Sequence, residues 1–215
     1  MDDPRRLHRQ AGDMTGAIIS QISPAQLGLA TPCSEWDVSA LINHIVNGQL
    51  RFTALLTGQR GPERGADVLG DDPAADFRSS FDGLASLFDE NGFLQRTVPT
   101  PFGDGPGALL VAMRVAELTL HGWDLAAATG QSRMLDPELV AFAMAALRSR
   151  PVPRTAGGPF GPEQLVPPLA TDADLLAAFA GRAVPAPPHV WQLPEVTRAA
   201  PEAIRSTPAS GPPND

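Results

Sequence analysis

Four residues able to do chemistry, Arg114, Glu117, His121 and Asp124, lie in the run RVAELTLHGWD at steps of three, four and three. On a helix of 3.6 residues per turn this spacing puts all four on one face. Val111, Ala112, Met113, Val115, Ala116, Leu118, Leu120, Trp123 and Leu125 cover nearly all the rest of the circumference. A helix apolar almost all round is buried, so its polar stripe points into the protein, where a charged group needs a partner or a metal. The bland alternative is a solvent-facing stripe in which Glu117 and His121 form an ordinary surface pair. His44 tips the balance. It lies on another helical stretch, with Asn47, Gly48 and Arg51 along a line beside the apolar residues Val38, Leu41, Ile42, Ile45, Phe52, Leu55 and Leu56. Gly48, one turn on, leaves space beside the imidazole.

His44 with Glu117 and His121 would make a two-histidine, one-carboxylate site in the core of a helical bundle. Two of the ligands are pre-aligned one turn apart, and the third comes from a facing helix. Three protein ligands leave a position open, as in catalytic rather than structural zinc sites. The same set suits non-haem iron, so the residues do not choose the metal. Zinc is the expectation because it serves hydrolytic and thiol chemistry without redox. Arg114 either binds an anionic substrate or braces Glu117, while Asp124 and Asn47 are candidates to support the ligands by hydrogen bonds.

The elements that must position these residues are marked by their ends. Asp3-Pro4, Asp72-Pro73 and Asp136-Pro137 read as caps followed by a first-turn proline. They open a first helix running to the break at Ser23 and Pro24, a third helix to Asn91 and Gly92, and a fifth to Pro151. In TPCSEW, Ser34 is expected to cap the second helix, with Asp37 completing a capping box and Cys33 and Val38 forming a hydrophobic staple. The fourth helix carries the polar stripe and ends at Gly130. Gly58–Asp72 and the Pro- and Gly-rich run Thr97–Gly107 predict loops. A short sixth helix spans about 171–180. His8, among the arginines of the first turns, reads as a surface histidine. After Arg182 the prolines predict a mobile tail, with His189 and Trp191 in it.

Composition narrows the function classes. The 215 residues and 43% hydrophobic content are enough for a core. A net charge of −8 argues against nucleic-acid and anionic-membrane surfaces and favours a small-molecule substrate. Without Lys or Tyr, Schiff-base chemistry and a phosphate-loop lysine are excluded. One cysteine, no long apolar run and no signal-peptide core point to a cytoplasmic protein, with its oligomeric state open.

The stretches TPCSEWDVSALINH and RVAELTLHGWDLAAATGQ resemble the DinB-like superfamily, in the branch typified by mycothiol-dependent maleylpyruvate isomerase. GGPFGPE and LLAAFAGR, at 175–182, resemble the ends of an actinobacterial group within it. The resemblance implies an all-α fold: a DinB-like four-helix bundle with short extra C-terminal helices and a Pro-rich tail. The expected division is 1–150 for the bundle, 151–182 for an extension packing on it and 183–215 for the tail. It also implies a divalent metal, usually zinc, on His44, Glu117 and His121, with mycothiol as cosubstrate. A metal-held thiolate would make the chain a thiol-dependent isomerase or transferase. The alternatives are a tailoring or self-protection protein of secondary metabolism and a non-catalytic ligand-binding bundle.

Overall fold

Three Asp-Pro pairs start helices as their chemistry requires, since proline needs no partner for a missing N–H and the preceding carboxylate takes the next free ones. In the computed structural model, which describes residues 3–34, 36–100, 103–149, 154 and 160–185, Asp3 caps α1 (Pro4–Ser20), Asp72 caps α3 (Pro73–Phe88) and Asp136 caps α5 (Pro137–Arg148). The second helix starts later than expected. Asp37, not Ser34, caps α2 (Val38–Thr57), accepting from the Ala40 amide at 2.8 Å. The chain before it instead folds back through the Ala30 to Asp37 bridge and through Thr31 Oγ1, which donates to the Trp36 carbonyl at 2.8 Å. Asp37 wins because its carboxylate can reach the free amides while its own backbone stays extended. The remaining helices are α4 (Gly107–Thr129), closed by Gly130 in the left-handed conformation, and α6 (Asp172–Phe179), which opens with the Thr171–Asp174 capping box. Among its described residues the Pro- and Gly-rich run before α4 holds a two-residue antiparallel pair, Thr97–Val98 with Gly105–Pro106, beyond which Thr100 and Gly103 exchange backbone hydrogen bonds at 3.2 and 3.1 Å.

The helical directions follow from their side-chain contacts. His8 near the start of α1 packs on Phe88 at the end of α3, and Gly16 faces Phe77 near its start, so these two helices are antiparallel. Asn43 bonds to Val68, just before α3, and Gln49 one to two turns on bonds to Ser80, so α2 and α3 run the same way. Thr15 bonds to the Leu118 carbonyl and Ile18 lies near where a Gly122 Cβ would be, which aligns α1 with α4. The result is an up-down-down-up bundle of α1 to α4. Parallel α2 and α3 require Gly58–Asp72 to travel back along the bundle, and Asn43 and Asn47 hold it by its Ala66 and Glu63 carbonyls.

One apolar cluster joins α1, α2, α3 and α4. A second unites Ala116, Leu120 and Trp123 of α4 with Val140 and Ala143 of α5 and with Ala173, Leu176 and Ala177 of α6. Trp123 Nε1 donates to Asp174 Oδ1 at 3.0 Å, which fastens α6 to the central helix. Two sequence expectations fail here. His8 is not on the surface: at 1% exposure it lies in the core, stacked on Phe81 at 4.7 Å, because it shares the inward line of Leu7, Ala11 and Thr15. Leu55, assigned to the core, is 46% exposed. His189, Trp191, the tail from 186 and residues 155–159 of the Pro- and Gly-rich motif lie outside the described residues. Among the described residues no helix is long and apolar enough to cross a membrane.

Candidate metal centre

The polar stripe of α4 faces inward. Arg114 and Asp124 are 0% exposed, His121 is 7% exposed and the Glu117 side chain 25%, so the solvent-facing alternative does not hold. Across from them, α2 carries His44, whose Nε2 lies 3.5 Å from Glu117 Oε1. The His44 and His121 rings meet edge to face with centroids 5.2 Å apart. One ligand atom from each of His44, Glu117 and His121 falls within 4.8 Å of the other two.

Two imidazoles and a carboxylate are the donor chemistry of a divalent-ion site. Two atoms each about 2.1 Å from a tetrahedral zinc stand roughly 3.4 Å apart, close to the His44 to Glu117 separation. The tautomer of His121 is also suitable. Its Nδ1 is 3.0 Å from Asp124 Oδ2, and because a carboxylate only accepts, Nδ1 carries the proton and Nε2 keeps its lone pair. Burial, opposed by Asp124, holds the His121 imidazole below its ordinary pKa and so favours the neutral ring that a metal needs.

Glu117 is kept ionised. Burial raises its pKa, but the Arg114 guanidinium and the hydrogen bond from His44 prevail and bring it well below the usual carboxylate range. Arg114 Nη1 donates to Glu117 Oε2, and its guanidinium lies over the Phe52 ring at 5.5 Å. Fully buried behind the carboxylate, Arg114 braces Glu117 and has no route to a substrate. Gly48 makes room for that guanidinium: a Cβ there would stand 3.2 Å from Arg114 Nη1 and 3.6 Å from Glu117 Oε1. Asn47 turns the other way. Its amide donates to the Glu63 and Ala66 carbonyls, so it holds the returning loop and does not support the ligands.

Three neighbours were not singled out for the site from sequence. Trp36 stacks on His44 with centroids 4.3 Å apart and covers one face of that ring. Cys33, expected as part of a staple, places its sulfur 3.2 Å from Asp124 Oδ2. Arg182, beyond α6, reaches both Asp124 and Cys33. The motif TPCSEWD held two of these residues in view, but the late helix start that turns them inward is not visible until the cap is known. Cys33, Asp124 and His121 also form a second group with ligand-like spacing, and its cationic partner is the Arg182 guanidinium. Burial, with the Asp124 charge, pushes the Cys33 thiol up to about 12.

The profile of the mycothiol maleylpyruvate isomerase N-terminal domain matches residues 8–126, a span that includes His44, Glu117 and His121. Two uncharacterized proteins from two strains of Mycobacterium tuberculosis are each 36% identical over 184 residues, taking in 85% of this chain and 99% of theirs. Among solved structures, mycothiol-dependent maleylpyruvate isomerase superposes with a TM-score of 0.55 at 20% identity, as does a mutant of that enzyme. That superposition covers 66% of this chain and 66% of the isomerase, just under two thirds of its length. At that identity the likeness establishes the shared helical fold.

Proposed function

We propose, from the premise that this chain belongs to the mycothiol maleylpyruvate isomerase N-terminal domain family, that it is a divalent-metal enzyme using a small thiol such as mycothiol on a small electrophilic substrate. The observation that carries the reading is the convergence of His44, Glu117 and His121, with a buried partner behind each of the two α4 ligands. Zinc suits the nitrogen and oxygen donors. When bound, such an ion stabilises the thiolate form of a coordinated thiol near neutral pH.

The chain's own residues supply the rest. Glu117 contributes the anionic ligand charge, held in place by Arg114. Asp124 accepts from His121 Nδ1 and so leaves the other ring nitrogen its lone pair. Trp36, stacked on His44, shields one face of that ring from water. Cys33 is poorly suited as the nucleophile, because its thiol stays protonated over the physiological range and its sulfur is turned to Asp124 and Arg182. A nucleophilic sulfur would therefore come from a cosubstrate. Addition of that sulfur to an activated double bond, rotation about the resulting single bond and elimination would give isomerisation; addition alone would give transfer.

The test combines elemental analysis of protein prepared without added metal with an assay of mycothiol consumption. Maleylpyruvate and a panel of unsaturated acids serve as acceptors. The expected result is about one zinc per chain and thiol-dependent turnover of at least one acceptor, both lost in His44→Ala. A metal-free protein that does not take up zinc, or turnover unaffected by His44→Ala, would overturn the reading.

A further inference from the structure

Arg182 lies outside the bundle in sequence and inside the candidate centre in space. Its Nε donates to Asp124 Oδ1 at 3.3 Å and its Nη2 to Asp124 Oδ2 at 3.2 Å, a two-point hold on the carboxylate. Nη2 also lies 3.2 Å from the Cys33 sulfur, and Nη1 donates to the Ala180 carbonyl at 3.0 Å. Arg182 is 6% exposed and Asp124 is fully buried. The same Asp124 Oδ2 receives the His121 Nδ1 proton. A carboxylate free to rotate would present either oxygen to His121; one gripped at both oxygens presents Oδ2 in a single orientation.

The approach of Arg182 is itself built by two glycines. Gly181 ends α6 in the left-handed region, at φ +91°, and its backbone packs on that of Gly161, so closely that a Cβ at 181 would fall 2.6 Å from Gly161 Cα. Gly181 N donates to the Ala178 carbonyl and Arg182 N to the Ala177 carbonyl, both at 2.9 Å, which turns the chain back toward α4. Trp123 and Asp174 fix the other side of α6 to the same helix that carries Asp124. The two glycine-containing stretches near the end of the described chain thus share one task, the aim of a single guanidinium.

We propose that Arg182 is a positioning residue for the candidate centre, acting through Asp124 to fix the His121 ring with Nε2 toward His44 and Glu117. This makes the segment 160–182 part of the site. The proposal rests on the metal-centre reading for its consequence and on the hydrogen bonds alone for its geometry.

The test compares wild type with Arg182→Met and with Arg182→Lys, which keeps the charge but cannot span both oxygens. The first readout is made on metal-free protein: solvent exchange of the His121 Nδ1 proton, followed by NMR of ¹⁵N-histidine-labelled chains. The second is zinc affinity by chelator competition. Exchange should be slow in wild type and at least about tenfold faster in Arg182→Met, with Arg182→Lys between them. Zinc affinity should fall in parallel by about ten- to a hundredfold, the range for residues that orient a ligand. Equal exchange rates in all three proteins, or no protected His121 proton in wild type, would overturn the proposal, even if Arg182→Met melted earlier. Should Arg182→Met not fold, Arg182→Lys decides by the same two readouts. Wild type that binds no zinc but shows the expected exchange differences would refute the metal reading and leave the hold on His121 standing.

Discussion

Replacing His8 by Phe should flatten the acid limb of the stability profile. His8 stacks on Phe81 at 4.7 Å and meets Phe88 edge-on at 4.9 Å, and its Nε2 has no hydrogen-bond partner among the described residues. Burial, with the Arg114 and Arg9 charges adding to it, lowers its pKa from 6.5 to about 3. Because the folded value lies below the unfolded one, the folded protein binds fewer protons once the pH drops below about 6.5. The contribution of neutral His8 is complete above that pH and is lost as the pH falls toward 3, at up to about 1.4 kcal/mol per unit. Between pH 7.5 and 5 the loss comes to about 2 kcal/mol. Phenylalanine keeps an aromatic ring in the stack and cannot titrate. Any overpacking it brings is a constant offset that leaves the slope alone. The assay is urea unfolding of metal-free wild type and His8→Phe at pH 7.5 and 5.0, with chelator present so that metal release makes no contribution. Other titrating groups, His121 among them, are common to both proteins and cancel in the difference. His8→Phe should lose about 2 kcal/mol less than wild type over that interval. Parallel profiles would refute the burial argument, and a steeper loss in the variant would reverse its sign.

Other substitutions probe the site and the packing behind it. Glu117→Gln removes the anionic ligand while sparing helix propensity, so metal per chain should fall with circular dichroism unchanged; full occupancy in a folded variant would remove Glu117 from the ligand set. Cys33 should react with a neutral alkylating agent about a thousandfold more slowly in folded than in unfolded protein at pH 8, because its thiol is pushed up from 9.0 to about 12; rapid labelling of the folded chain would reopen its claim as a nucleophile. Gly12→Ala, which in an exposed helix would stabilise, should instead cost about 1 to 3 kcal/mol in thermal or urea unfolding, since its Cβ would lie 2.1 Å from Phe81 Cζ.

The parts of this molecule legible in its sequence are those fixed by neighbours within a turn or two. Asp3, Asp72 and Asp136 cap the helices their prolines announce, and the spacing of Arg114, Glu117, His121 and Asp124 puts them on one buried face. What stayed hidden depends on partners far along the chain. His8 looks polar among Arg5, Arg6 and Arg9, yet helical phase carries those side chains outward and turns its ring onto α3. Gly48 reads as room for an imidazole and proves to be room for Arg114, a fact set by how closely α2 approaches α4. Cys33 and Arg182 stand 149 positions apart and meet only because α6 is fastened to α4. The cap of α2 was missed for a local reason: Ser34 and Asp37 are both competent, and the bridge between Ala30 and Asp37 decides between them.

The parallel course of α2 and α3 sets a requirement on chain reach. α2, with its 20 residues, is about 30 Å long at 1.5 Å per residue, and the connection must recover most of that length before α3 begins. Gly58–Asp72 coiled as a helix would span only about 22 Å, whereas an extended chain of that length reaches roughly 50 Å. The segment runs back beside α2, its Gly61 against Ala54 and Arg51, its Glu63 carbonyl on Asn47 and its Ala66 carbonyl on Asn43 and Asn47, and this open path rather than looseness accounts for its lack of periodicity. Residues added there only lengthen a surface path, but removing about six would exhaust the margin between reach and return. The carbonyls of Glu63 and Ala66, held by Asn43 and Asn47, would be the first to be pulled from their places, and the strain would pass into α2 within one turn of His44.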